Sequence, residues 1–197
     1  MVDDDPSMRN ALQDLVASVG LEPRLFATPQ EFLEASRADA PSCLVLDVRL
    51  PGSSGLTFQE ELARAGVRVP IIFITGHGDI PMSVRAIKAG AVEFLSKPFR
   101  EQELLDAIHA AIERDRTQRR AATAAAELEQ RFASLTERER EIMALVIVGQ
   151  ANKRIAANLG VAEATVKVHR AQIMRKMRAK SLPELVRMGD TLSKPKS

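Results

Sequence analysis

Several polar side chains in this sequence stand directly behind short apolar runs. Asp3, Asp4 and Asp5 follow Val2, Asp47 follows Leu44-Val45-Leu46, Thr75 follows Ile71–Ile74, and Lys97 comes just after Phe94 and Leu95. If those runs are parallel strands with helices between them, their carboxyl ends share one sheet edge, and ligands bind beyond that edge. Clustered carboxylates raise one another's pKa unless a cation sits among them. Mg²⁺ suits such a cluster, because it takes few carboxylates together with waters and phosphate oxygens. A carboxylate is also a nucleophile toward phosphorus and can become an aspartyl-phosphate. An ammonium and a hydroxyl at the same edge are groups that bind phosphoryl oxygens.

Such a group needs a doubly wound sheet to carry it, and the first half of the chain has that pattern. Residues 6–19 place Leu12, Leu15, Val16 and Val19 on one helical face, and Gly20 stops the helix. Arg24–Ala27 is a short strand candidate, followed by the capping box Thr28-Pro29-Gln30-Glu31. Cys43–Leu46 and Ile71–Ile74 are apolar without alternation, as in strands buried on both faces. Between them a helix is expected around Phe58 and Leu62. Val84 and Ile87 mark another, closed by Gly90. Val92–Leu95 is a last strand, and Leu104, Leu105, Ile108 and Ile112 mark a last helix. With a first strand at Val2, this order predicts an α/β doubly wound, five-stranded parallel sheet. Only Met1 and Val2 precede the acidic cluster, whereas strands commonly run about five residues. The first strand is expected to be a stub, or its leading residues to lie outside this sequence.

Residues 113–133 contain no proline or glycine and are rich in Ala, Arg and Glu. A long linker helix and a solvated charged spacer both fit that composition. From Leu135 onward the pattern is all helical. Thr136-x-x-Glu139 is a capping box, a short helix Asn152–Leu159 ends at Gly160, a longer one runs from about Ala162 to Met177, and Ser181-x-x-Glu184 caps the last. Two helices meeting at a tight Gly160 turn have the form of a helix-turn-helix. The domains are expected at residues 1–114 and 134–197, with 115–133 as the linker.

Charge divides along the same line. Residues 1–114 carry 11 Lys/Arg against 17 Asp/Glu, a net of −6, and residues 115–197 carry 17 against 9, a net of +8. The acidic half suits a cation site and the basic half suits phosphate backbone. The single cysteine, Cys43, excludes an intramolecular disulfide framework and fits a reducing cytoplasm. No apolar run approaches the roughly 18 residues of a membrane helix. The N-terminus is acidic rather than a signal sequence, and no nucleotide-binding P-loop or zinc spacing occurs.

Four segments carry a family resemblance across nearly all of residues 2–114. They are Val2-Asp3-Asp4-Asp5-Pro6-Ser7-Met8-Arg9, Leu46-Asp47-Val48-Arg49-Leu50-Pro51-Gly52, Ile74-Thr75-Gly76-His77-Gly78-Asp79 and Ser96-Lys97-Pro98-Phe99. In order, they resemble the landmarks of receiver domains, which have a flavodoxin-like fold. The Gly76–Met82 stretch and Lys88-Ala89-Gly90-Ala91 resemble the FixJ subgroup most. Residues 134–192 are similar to the LuxR/NarL-type four-helix domain. The matching segments are Leu135-Thr136-Glu137-Arg138-Glu139, Asn152-Lys153-Arg154-Ile155-Ala156 and Thr165-Val166-Lys167-Val168-His169-Arg170 with Lys176-Met177.

The resemblance implies a two-component response regulator, a phosphorylation-activated DNA-binding transcription factor and not an enzyme. It implies Asp47 as the phosphoacceptor. Asp4, Asp47 and the backbone carbonyl of Arg49 would bind Mg²⁺, with Asp3 helping. Lys97 would precede a cis proline, Pro98, and Phe94 would move with Thr75 as the switch. The implied partners are a sensor histidine kinase, double-stranded promoter DNA, RNA polymerase and, after phosphorylation, a second copy of the chain. Helix 81–89 and strand 92–95 would form the dimer face. The setting would be the cytoplasm, with no membrane partner. Thr165, His169, Lys153 and Lys176 are expected on phosphates, and Lys167, Val168 and Arg170 on bases.

Each residue also has a plainer reading. Asp47 could cap a turn, Asp3–Asp5 could be a solvated tail, Lys97 a surface lysine, Thr75 a strand-end residue and Phe94 simple core. His77 reads as an exposed loop residue and His109 as helix surface. A phosphohydrolase with an aspartate nucleophile usually has a second aspartate two residues on, where this chain has Arg49. A relay module without DNA would not need the +7 of residues 134–197, from 13 Lys/Arg and 6 Asp/Glu. Two features depart from the LuxR/NarL pattern: Ala162 stands at the recognition-helix cap, and Ala171 at a position often basic.

Overall fold

The structure is a computed structural model that describes residues 1–36, 39–76 and 79–193. Its contacts divide the chain into two units, Met1–Arg119 and Arg120–Ser197. Among the described residues no helix is long and apolar enough to cross a membrane.

In the first unit three strands form a parallel sheet in the order β1, β4, β5: β1 is Leu44–Asp47, β4 is Ile71–Thr75 and β5 is Glu93–Ser96. A small antiparallel pair, β2 (Arg49–Leu50) and β3 (Ser53–Ser54), follows β1. The expected first two strands reduce to single-residue parallel bridges, Val2 with Leu46 and Val2 with Phe26. Among the described residues the parallel sheet thus has three paired strands, with these bridges where two more of the expected five would lie. From Arg24–Ala27, Phe26 forms the bridge, and Arg24 O accepts the Met1 amino group at 2.7 Å.

Strand alternation explains the two core layers. Leu44, Leu46, Ile71 and Phe73 face Phe58 and Leu62 of α3 (Gly55–Arg64) and Ala86 of α4 (Ile80–Lys88). Val45, Ile72 and Ile74 face Leu12 and Val16 of α1 (Pro6–Ser18) and Leu104, Ile108 and Ala111 of α5 (Glu101–Ala133). Helix α2 is Pro29–Glu34, with Thr28 capping the N–H of Glu31. Val84 and Ile87 do lie on a helix, but Ala86 is the residue it buries; Ile80 is 79% exposed and Val84 and Ile87 are each 45% exposed.

Residues 113–133 are helical as the latter part of α5, and residues 120–127 are exposed all round. Near the start of this stretch Asp115 is buried. It accepts the backbone N–H of Ser42 at 2.9 Å and Arg119 Nε at 2.7 Å, while Arg119 Nη1 reaches Asp39 at 2.8 Å.

The second unit packs α6 (Glu137–Ile147), α7 (Asn152–Leu159), α8 (Glu163–Met177) and α9 (Leu182–Ser193) around Ile142, Ile155, Val166, Ile173, Met177 and Leu185. Gly160, at φ 64°, closes α7 and turns the chain into α8, a left-handed conformation that glycine adopts without cost. Thr136 and Glu139 form the reciprocal capping box of α6. Ala151 and Ala162 make no side-chain cap for α7 or α8.

Gly55 opens α3 against the back of β1. A Cβ there would penetrate the Asp47 carbonyl oxygen and stand 3.1 Å from Val48 Cα. Gly55→Ala is expected to lower stability by about 1–3 kcal/mol, as overpacking does. It should also displace the Asp47 backbone, so a thermal melt and a phosphorylation assay should both report the change.

Candidate phosphoryl site and nucleic-acid interface

Asp47 ends β1, and Val2 O accepts its backbone N–H at 2.9 Å. The N–H of Arg49 donates to Asp47 Oδ1 at 2.9 Å, which orients the carboxylate. Lys97 follows β5; its backbone N–H donates to Thr75 O at 2.7 Å, and its peptide bond to Pro98 is cis. These two strand ends bring Lys97 Nζ to 2.7 Å from Asp47 Oδ2 and 2.9 Å from Asp3 Oδ2. Asp3 is fully buried and also accepts the N–H of Asp5 at 2.9 Å. Thr75 is fully buried at the end of β4, beside β1. The sheet therefore gathers Asp3, Asp47, Thr75 and Lys97 at one edge.

Burial tends to raise the Asp3 carboxyl, and it stays above the usual carboxylate value despite the Lys97 ammonium. Burial alone would lower Lys97, but hydrogen bonds and charge from Asp47 and Asp3 outweigh it, so the ammonium is held above its usual value. The site thus has two carboxylates bridged by one ammonium, which leaves negative charge on the group.

Asp4 is exposed beside them, and carboxylate oxygens of Asp3, Asp4 and Asp47 lie within 4.8 Å of one another. All-oxygen donors at that separation fit a hard divalent cation such as Mg²⁺. Asp5 differs: its side chain accepts the N–H of Ser7 at 2.9 Å and caps α1. Phe94 is half-buried on β5 with its ring centroid 6.2 Å from that of Phe73. His77 lies outside the described residues, and His109 is exposed on α5.

In the second unit Lys153, Thr165, Lys167 and Val168 are exposed, Val168 by 57%. Lys167 makes an exposed 3.3 Å pair with Glu163. Arg170 is half-buried, and its Nη1 donates to Asn152 Oδ1 at 2.6 Å, tying α8 to the start of α7. His169 is half-buried, with its Nδ1 unpartnered. Lys176 is engaged by the buried carboxylate of Glu139 at 2.6 Å and by Ser134 O at 3.3 Å.

Sequence reasoning found Glu139 as a cap but missed its cation, and missed Asp115 and Asn152 as anchors. Helical spacing relates Asp115 to Arg119, but nothing in the sequence points from Asp115 to Ser42 or from Asn152 to Arg170.

Residues 1–109 match the response regulator receiver domain family, and residues 133–189 match the bacterial regulatory proteins of the luxR family. Nodulation protein W of Bradyrhizobium diazoefficiens is 58% identical over 192 residues, covering 98% of this chain and 85% of that protein. The transcriptional regulatory protein FixJ of Azorhizobium caulinodans is 43% identical over 188 residues, covering 95% of this chain and 89% of FixJ. Among solved structures, the response regulator StyR is 50% identical with a TM-score of 0.88, and the match covers 96% of each chain.

Glu139 titrates below the usual 4.5: burial tends to raise it, but the bonds to Lys176 and Thr136 prevail. A lowered folded pKa gives stability that is present above the unfolded value and is lost as pH falls through the folded one. Glu139→Gln should therefore destabilise the helical unit at neutral pH and flatten its acid unfolding limb below about pH 4.5. Circular dichroism melts across pH check this; an unchanged acid limb would exclude the pair as a contributor.

Proposed function

The chain belongs to the response regulators that join a receiver domain to a LuxR-family DNA-binding domain, and from that premise we propose how its residues carry the signal. A response regulator of this build is a transcription regulator, not an enzyme. Asp47 is proposed as the phosphoacceptor. One of its oxygens attacks the phosphorus of a phosphohistidine on a sensor kinase, the P–N bond breaks, and the imidazole leaves with the electron pair. The observation that carries this reading is Lys97 Nζ held between Asp47 and Asp3 at 2.7 and 2.9 Å.

Asp3, Asp4, Asp47 and the backbone carbonyl of Arg49 would hold Mg²⁺. When bound, that ion supplies charge neutralisation for phosphate oxygens. Lys97 has a second use: once a phosphoryl group occupies Asp47, the ammonium has a new anionic oxygen to bind. Thr75 would donate its hydroxyl to another phosphoryl oxygen, and Phe94 would turn inward as Thr75 moves.

The outward row Ile80, Val84 and Ile87 on α4 supports a dimer face there, since a second copy would bury it. Two paired receivers would bring two DNA-binding domains onto half-sites about one helical turn apart. The receiver is assigned to residues 1–114, the linker helix to 115–133 and the DNA-binding domain to 134–197, with Val2 and Phe26 at the places of the first two of five strands. Lys167 and Val168 are assigned to bases in the major groove, and Lys153 and Thr165 to phosphates. Arg170 and His169 would reach DNA as well, Arg170 by leaving Asn152. Lys176 would reach phosphate only by leaving Glu139. Promoter-bound protein would meet RNA polymerase, and the work is placed in the cytoplasm.

Acetyl phosphate with Mg²⁺ should phosphorylate the protein, and Asp47→Asn or chelation of Mg²⁺ should abolish the modification seen by mass spectrometry. Label retained in Asp47→Asn would overturn the assignment. Thr75→Ala should still accept phosphate but lose the gain in promoter affinity measured by mobility shift. Lys153→Ala should weaken DNA binding across sequences and reduce the salt slope by about one.

A further inference from the structure

Helix α8 carries three cations assigned to DNA, and each has a protein partner of a different kind. Lys167 pairs with Glu163 at 3.3 Å, and both side chains are exposed, by 65% and 46%. Arg170 donates to Asn152 Oδ1, a neutral oxygen. Lys176 Nζ lies 2.6 Å from Glu139 Oε2, and that carboxylate side chain is only 2% exposed.

These partners decide how readily each cation can be released. An exposed pair leaves two solvated ions when it parts, so splitting it costs little. Parting Arg170 from Asn152 leaves a neutral amide and strands no charge. Taking Lys176 away strands a carboxylate that burial has stripped of water, and an uncompensated buried charge is strongly destabilising. One phosphate at the DNA surface does not offset that loss, because it is itself solvated and screened by counterions.

Lys176 has a second bond. Its Nζ donates to Ser134 O at 3.3 Å, just past the end of α5, and Glu139 accepts the Thr136 N–H at 2.7 Å. Arg140 of α6 reaches the neighbouring Ala133 O at 3.0 Å. The turn from α5 into α6, residues 133–136, is thereby held by one cation from α8 and one from α6. Arg138 does not stand in for Lys176, since it is engaged by Glu141 and by Leu159 O.

We propose that Glu139 withholds Lys176 from DNA, and that Lys176 is a positioning residue fastening α8 to α6 and to the turn after α5. Resting on the DNA-binding reading of this unit, this assignment narrows it: Lys153 and Lys167 are available to the duplex, while Lys176 remains on Glu139.

The salt dependence of binding tests this. Each lysine that meets a phosphate releases counterions and adds about one to the slope of log affinity against log salt. The full chain is titrated with a mixed-sequence DNA duplex at neutral pH, without phosphoryl donor, so that Asp47 plays no part. Glu139→Gln keeps an oxygen for the Thr136 N–H, since glutamine serves a capping box as glutamate does. It should steepen the slope by about one and tighten binding about tenfold at low salt. Adding Lys176→Gln should return the slope to that of the wild type, whereas Lys153→Ala alone should make it shallower by about one. Amide exchange at Ser134 and Leu135 should be faster in the double variant, because the turn has lost its tie.

A double variant with a slope about one shallower than wild type would mean that DNA uses Lys176 in the native chain, and would overturn the proposal. So would a Glu139→Gln protein that is folded by circular dichroism and keeps the wild-type slope, or unchanged exchange at Ser134 and Leu135. If Glu139→Gln alone does not fold, the double variant, whose pair carries no charge, decides by its slope. Failure of the DNA-binding reading looks different: the wild-type chain would not bind the duplex at any salt.

Discussion

The contact on which the first unit most depends is the Lys97 ammonium lying between Asp3 and Asp47. Two carboxylates that burial strips of water repel one another, and one fixed cation at 2.9 and 2.7 Å makes their proximity tolerable. The bonds span 94 and 50 residues of sequence, so a single side chain ties the Val2 segment, β1 and the end of β5 at one edge.

The second unit uses the same pairing for a different end. Lys176 reaches the buried Glu139, which also closes the capping box of α6. One carboxylate thus serves the α6 N-terminus and a lysine near the end of α8. Arg170 on Asn152 repeats the device between α8 and α7. Part of the positive charge near α8 is therefore spent on holding the helix-turn-helix together. Lys153, Thr165, Lys167 and Val168 instead face solvent, and the pair of Lys167 with Glu163 is itself exposed. The split between tied and solvent-facing side chains follows from geometry, because a cation held in a protein ion pair must break it to serve another anion.

Much of this was legible in the sequence where one local rule decided it. Unalternating apolar runs located β1 and β4, and the polar residues behind them located Asp47 and Thr75. Capping residues located α2, α6 and α9. What stayed hidden depended on distance or on shared rules. Thr136-x-x-Glu139 announces a cap but carries no sign of Lys176, thirty-seven residues on. Val84 and Ile87 obey helical periodicity, yet that rule says only that they share a face, not whether the face points inward. Val2 was expected on a first strand, and it takes its place through bridges to Leu46 and Phe26. Asp5 looked like a third member of the acidic group, but its position ahead of Pro6 and Ser7 made it a cap.

β1 joins two tasks that a sequence reading keeps apart. Its carboxyl end carries Asp47. Just ahead of its amino end, the Ser42 N–H is held by Asp115 of α5. Half-buried Cys43 and the buried residues Leu44, Val45 and Leu46 separate these points, and close-packed interiors transmit strain rather than absorb it. α5 is further rooted by Arg119 on Asp39 and Asp115. The helix that leaves the first unit is thus fastened to the strand that bears the candidate phosphoacceptor. A shift of β1 along its axis would be felt at both ends, so the chemistry at Asp47 and the placement of the base of α5 are mechanically one problem.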